Sequence, residues 1–197
     1  MFCSAVAEEK PKKEKKPKKK KKSPPPEPAG EIDISKLNII VGVINKVWEH
    51  ETADKLYCEE IDVGEGEPRQ IASGLRAHYA ASDLEGRRVC VLANLKSRKL
   101  MGFPSHGMVL CASSDDGSKV VFVDPPADAA IGERVMVEGF DGEPATENQV
   151  IKKKMLDAIF PDLRTDGSGV ASYKGVPLMA GTGKCVAEGG LGDAQVS

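Results

Sequence analysis

The sequence has no C-x-x-C pair, no G-x-S-x-G elbow and only three histidines. No apolar run approaches the ~18 residues that a membrane-spanning helix needs. Each absence removes a class of function. The five cysteines (Cys3, Cys58, Cys90, Cys111, Cys185) are odd in number and far apart, which excludes a zinc ribbon and a redox dithiol. Cys58, Cys90 and Cys111 lie in apolar runs, where free thiols act as small buried hydrophobes in a reducing compartment. Lysines follow the first residues before the apolar core of a signal peptide can form, so the expected location is cytoplasmic. His50 and His78 fall in expected loops, and His106 beside a basic cluster. Gly181-Thr182-Gly183-Lys184 imitates a phosphate loop, but Leu178 stands where its first glycine belongs and Cys185 replaces the Ser/Thr. Asp115, Asp116 and Asp124 read as turn residues, without coordination spacing around them. No nucleophile, base and oxyanion donor come together, so neither an enzyme nor a metal or cofactor site is expected.

Charge is present in quantity but unevenly placed. The net charge of −2 hides ten lysines against four glutamates in residues 1–30, a tail of +6, and 18 basic against 26 acidic residues beyond it. A body of net −8 that binds a polyanion must use a local basic patch, because its overall field is unfavourable. The tail, with Lys18, Lys19 and Lys20 in its middle, is too polar to offset chain entropy and reads as disordered. Alone it fits a solubilising segment or a nuclear-import signal as well as a nucleic-acid contact.

From residue 32 the pattern changes to short apolar runs rich in β-branched residues, spaced by turns. Residues 37–47, 56–63, 69–73, 88–93 and 107–112 read as strands, with Gly42 marking a bend and a short helix over 78–84. About five strands and one small helix fit a closed barrel such as an OB-fold, with a sandwich or an SH3-like barrel left open. Residues 119–123 and 133–137 extend the strand pattern. Helical spacing of Val150, Ile151, Met155, Ile159 and Phe160 predicts a helix over 147–160, capped by Thr146 and stopped by Pro161. Residues 170–178 and 184–188 return to strand, and 189–197 read as a frayed end.

The segment that carries chemistry runs from Asn94 to Leu110. Lys96, Arg98 and Lys99 crowd into four residues directly after an apolar strand, and a Gly-Phe-Pro turn follows. Like charges that close repel one another, so folding alone gives no reason to hold them together; a phosphate polyanion gives one, and a solvated loop with its charges facing water is the equal alternative. In an extended segment Lys96 and Arg98 share a face, with Lys99 turning towards the loop. Asn94 and Ser105 supply directional hydrogen bonds and Phe103 a stacking surface, the combination by which OB-folds bind nucleic acid.

The run from residue 32 to 188 resembles the tRNA-binding domain of the family that contains endothelial monocyte-activating polypeptide II. The same domain is found in multisynthetase-complex accessory proteins and at the C-terminus of some methionyl- and tyrosyl-tRNA synthetases. The motifs in common are Ile32-Asp33-Ile34-Ser35-Lys36-Leu37, His50-Glu51-Thr52-Ala53-Asp54-Lys55-Leu56-Tyr57, Ser73-Gly74-Leu75, Asn94-Leu95-Lys96, Lys99, Ser105-x-Gly107-Met108 and Cys111-Ala112-Ser113-Ser114. Further along, Pro161-Asp162-Leu163 and Tyr173-Lys174-Gly175-Val176-Pro177 continue the match. The resemblance implies a mainly β chain: a disordered tail over 1–30, an OB-fold over 31–140, and a small C-terminal α+β subdomain over 141–197. That subdomain would pack on the barrel like the second subunit of dimeric relatives, giving a monomer with an internal pseudo-dimer. Carried over by position, the expected tRNA contacts are Asn94, Lys96, Lys99, Ser105 and Met108. Arg98 joins them by charge, and Phe103, Lys152, Lys153 and Lys154 extend the surface together with the tail lysines. Relatives often read Lys-Pro-x-Lys-Met-Arg-Gly here, whereas this chain has Ser97 for the proline and Met101 for the arginine. The function implied is that of a non-catalytic tRNA-binding cofactor of aminoacyl-tRNA synthetases. A released signalling polypeptide and an architectural synthetase-docking subunit are the alternatives.

Overall fold

Eleven residues dominated by branched aliphatics, Ile39–Glu49, form β1, the strand on which the rest is built. In the computed structural model, which describes residues 31–197, its first half pairs antiparallel with Arg88–Leu92 and its second half with Tyr57–Asp62. Residues 1–30, with Cys3 and the tail lysines, lie outside the described residues. The strands that follow are β2 (Tyr57–Asp62), β3 (Arg69–Ser73), β4 (Arg88–Leu92), β5 (Arg98–Leu100), β6 (Phe103–Ser105) and β7 (Met108–Val109). Next come β8 (Cys111–Ser113), β9 (Val120–Asp124), β10 (Met136–Val137), α1 (Glu147–Lys152) and α2 (Met155–Ile159). The chain closes with β11 (Leu163–Thr165), β12 (Ala171–Tyr173), β13 (Val176–Ala180), β14 (Gly183–Lys184), β15 (Val186–Ala187) and β16 (Gln195–Val196).

The first sheet has the order β3-β2-β1-β4-β7. Its two edges are drawn together where the His106 N–H donates to the Gln70 carbonyl at 2.8 Å and the Ala72 N–H donates to Ser105 Oγ at 3.1 Å. The result is the nearly closed, mainly β barrel expected from the strand pattern, an OB-like fold. A long strand can serve such a barrel only by bending, and β1 does so through a register shift between Ile44 and Lys46. Gly42, read from the sequence as the bend, has another task. A Cβ there would lie 2.9 Å from Ile61 Cγ2 and 3.0 Å from the Asp62 carbonyl, so glycine permits the close approach of β1 and β2.

Successive residues of a strand face opposite sides, and β1 is apolar on both. Ile40, Ile44 and Val47 point into the barrel with Ile61, Ile71 and Phe122. Ile39 and Val41 point outward, into a second core shared with Leu110, Ile159, Leu163, Tyr173 and Leu178. The C-terminal helices and strands are therefore held to the barrel by continuous apolar packing. A second sheet, ordered β10-β13-β12-β11-β16-β8-β9-β15 with β14 paired to β13, carries this junction.

Four readings of the sequence need correction. The helix expected over 147–160 breaks at Lys153–Lys154, and Lys154 is left-handed with φ 48°. In an unbroken helix, Met155 would lie about 140° around from Val150, since five residues exceed one turn. The break brings both side chains into the core. Residues 170–178 are a hairpin, not one strand, because Lys174 and Gly175 both take positive φ and reverse the chain between β12 and β13. The last residues are not frayed: β16 lies between β8 and β11, Val196 is fully buried, and Ser197 and Cys111 exchange both backbone hydrogen bonds at 3.0 Å. Asp124 ends β9 instead of making a turn, and its carboxylate holds Arg87 at 2.8 Å, which in turn pairs with Glu188 at 3.0 Å. Gly181 and Thr182 form the β13–β14 turn, with the Gly181 N–H donating to Glu133 Oε1 at 2.7 Å. A hairpin, not a phosphate-binding helix, follows from that glycine pair. Among the described residues no helix is long and apolar enough to cross a membrane.

Candidate nucleic-acid interface

The basic segment folds as a small hairpin that stands off the barrel between β4 and β7. In β5 and β6 the pairs are Arg98 with Ser105, Lys99 with Pro104 and Leu100 with Phe103. The turn is made by Met101 (φ 48°) and Gly102 (φ 96°), the two-residue form whose twist matches the strands. Met101 pays a left-handed cost of ~1–2 kcal/mol for this, and its side chain is two-thirds exposed. Because neighbours along a strand alternate, Arg98 faces one side of the hairpin and Lys99 the other. Lys96 lies in the loop before β5, so the shared face expected for Lys96 and Arg98 does not arise from a single extended strand.

Lys96, Arg98 and Lys99 are all exposed. Among the described residues none of the three has a carboxylate within salt-bridge distance, although Arg69, Arg76, Arg87, Arg164 and Lys174 all do. Lys96 and Arg98 line a groove of about 380 Å³ together with Leu95, Met108, Ile151 and Leu156. Ile151 and Leu156 flank the break between α1 and α2. The exposed Lys152 ends α1, and the exposed Lys153 and Lys154 form the break itself.

Asn94 and Ser105 are placed differently from the cations. The Asn94 amide accepts from the Asn38 N–H at 2.8 Å and donates to the carbonyls of Lys36 and Ala145, both at 2.9 Å. Ser105 Oγ accepts from Ala72 and donates to the Gly107 carbonyl at 3.1 Å. Both residues are buried. They clamp the two ends of the basic segment to the barrel, and Asn94 also ties it to the chain entering α1. Replacing Asn94 by alanine strands three backbone groups and is expected to cost about 2–4 kcal/mol. Urea unfolding checks this, and a loss under about 0.5 kcal/mol, the range of an ordinary surface change, would contradict the clamp.

Sequence reasoning missed Trp48 and Lys46, at the far end of β1. Trp48 packs edge-on against Phe103 with centroids 5.8 Å apart and planes at 79°, and Lys46 Nζ lies 5.3 Å from the indole centroid. Trp48 is the single tryptophan of the chain and is only half-buried. That it is a lone tryptophan just before His50, near the end of a strand, was the available signal.

The family described as a putative tRNA binding domain matches residues 39–134, which hold β1 through β9 and the hairpin. The chain is 48% identical over 157 residues to the cytoplasmic methionine–tRNA ligase of Arabidopsis thaliana, covering 79% of this chain and 19% of the ligase. It is 42% identical over 158 residues to aminoacyl tRNA synthase complex-interacting multifunctional protein 1 of Mus musculus, covering 80% of this chain and 50% of that protein. The crystal structure of the C-terminal domain of Plasmodium vivax p43 superimposes with a TM-score of 0.77 at 38% identity, covering 85% of this chain and 100% of that one. The chain thus spans about a fifth of the ligase and half of the multifunctional protein.

Proposed function

This chain belongs to the family of putative tRNA-binding domains, and from that membership we propose that it is a non-catalytic tRNA-binding protein serving aminoacyl-tRNA synthetases as a cofactor. The observation that carries the proposal is the hairpin with the loop that leads into it: three exposed cations without ion-pair partners among the described residues, on a body whose net charge is −8. Phosphate is the ligand that makes such crowding favourable. Lys96, Arg98 and Lys99 contact the backbone of folded tRNA, with Met108 in the adjoining groove and Lys152–Lys154 extending the surface. Asn94 and Ser105 act by holding the hairpin in place. The lysines of residues 1–30 add non-specific attraction and speed the encounter. The shared second core lets one chain present barrel and C-terminal part together, as a monomer with an internal pseudo-dimer. The cytoplasmic ligase among the relatives agrees with a cytosolic setting and with synthetases as partners.

Salt dependence tests the mechanism. If about five or six phosphates are neutralised, tRNA affinity should fall by roughly two to three orders of magnitude between 50 and 200 mM salt. Removing residues 1–30 should weaken binding to all tRNAs alike without changing their rank. A flat salt response would exclude phosphate contact as the source of affinity.

A further inference from the structure

We propose that the cleft between Trp48, His50 and Phe103, beside the turn of the basic hairpin, receives one unstacked nucleobase of the bound RNA. This rests on the tRNA-binding reading above and deepens it, adding a stacking contact to recognition by backbone and shape.

Rings from two distant parts of the sequence meet here, Trp48 and His50 at the end of β1 and Phe103 in β6. Phe103 stands edge-on to Trp48 and also to His50, whose centroid is 6.5 Å away with planes at 80°. Among the described residues the other aromatic pairs, Tyr79 with Phe122 and Phe140 with Tyr173, each include a fully buried ring and belong to the cores. The cleft measures about 370 Å³, and Thr52, Met101 and Pro104 are among the other residues that line it. Aromatic walls, an open mouth and a few polar groups suit a flat heterocycle.

Charge assigns the parts of a nucleotide. Glu51 lines the cleft, so a phosphate inside it would be repelled, whereas the amino edge of a base can donate to that carboxylate. Two cations adjoin residues of the cleft. Lys99 is paired with Pro104, itself part of the wall, and the Lys46 ammonium lies over the indole. His50 Nδ1 accepts from the Thr52 N–H at 3.2 Å, which leaves Nε2 as the ring's donor. A base in the cleft therefore places its phosphates on Lys46 and Lys99.

Trp48 is the sole tryptophan, so its emission reports on this cleft alone. The test is to titrate the full chain with bulk tRNA and follow tryptophan emission, with the anisotropy of labelled tRNA measured in parallel. Stacking predicts quenching with the same midpoint as the anisotropy rise. It also predicts about a tenfold or greater loss of affinity in Phe103→Leu, and a smaller loss in Trp48→Phe, which keeps a ring. The wild-type quench needs no variant, so a poorly folded Phe103→Leu leaves the test intact. If tRNA binds by anisotropy while emission stays constant and both variants bind as the wild type does, base stacking is wrong and backbone recognition stands. If no anisotropy change occurs, the tRNA-binding reading itself fails and takes this inference with it.

Discussion

Lys96→Glu combined with Lys99→Glu is expected to lower tRNA affinity by about a thousandfold while leaving the unfolding transition almost unmoved. Each reversal removes an attraction of about 1 kcal/mol at ~4 Å in water and adds a repulsion of similar size. Two reversals change binding by about 4 kcal/mol, on the order of three decades. The fold has little to lose, because both side chains are exposed and among the described residues neither pairs with a carboxylate. Surface substitutions of this kind stay within about 0.5 kcal/mol of wild type. A titration with labelled tRNA beside a thermal melt separates the two effects. A loss of affinity under tenfold would move the binding surface away from the hairpin, and a comparable loss of stability would make the lysines structural.

The second large effect concerns stability rather than binding. Glu59 on β2 is wholly buried, paired in register with Ile71. Burial pushes its carboxyl up to about 7, offset in part by the hydrogen bond that the Ser73 hydroxyl donates to Oε1. Oε2 has no partner among the described residues. The folded protein therefore holds a proton that the unfolded chain releases near its ordinary value of 4.5. The stabilisation is complete below 4.5 and is lost as pH rises through about 7, for a total of about 3 kcal/mol. Lowered carboxyls act in the opposite sense at more acid pH. Glu65 is held down by its hydrogen bonds with Arg69, and Asp116 is held at about 2 by its hydrogen bonds with Ser114 and Ser118. The Glu59 signal thus occupies the window between pH 4.5 and 7.5. Glu59→Gln should flatten it, so that the variant gains on wild type by about 2.5 kcal/mol between pH 5 and pH 8. Urea unfolding at these two values measures the difference, and parallel behaviour of the two proteins would show that Glu59 ionises normally.

What could be read from the sequence follows the length over which a physical preference repeats. The barrel strands were legible because β-branched runs such as Ile39–Glu49 bury both faces, one in each core. The basic cluster was legible because like charges need a reason to assemble. Some of the elements two or three residues long carried no such signal. The Gln195–Val196 strand looks like a polar tail until β8 and β11 are seen on either side of it. The helix break at Lys154 answers to the separate positions of Val150 and Met155 in the core, which helical spacing in the sequence does not reveal. Asn94 and Ser105 carry polar groups suited to a ligand, yet the backbone takes them up, through partners as distant as Ala145. The aromatic cleft needs Trp48 and Phe103 together, and only closure of the barrel beside the hairpin brings them into contact.

The central claim is that the folded body, and not its charge alone, recognises folded tRNA. The direct measurement is an anisotropy titration of the full chain against bulk tRNA and against a single-stranded RNA of equal length, each at low salt and at about 150 mM, where the Debye length is near 8 Å. Tighter binding to tRNA at both salts, with the preference widening as salt suppresses the lysine tail, is the expected result. Equal affinity for the two RNAs at both salts would contradict it and leave only a basic segment adhering to a polyanion.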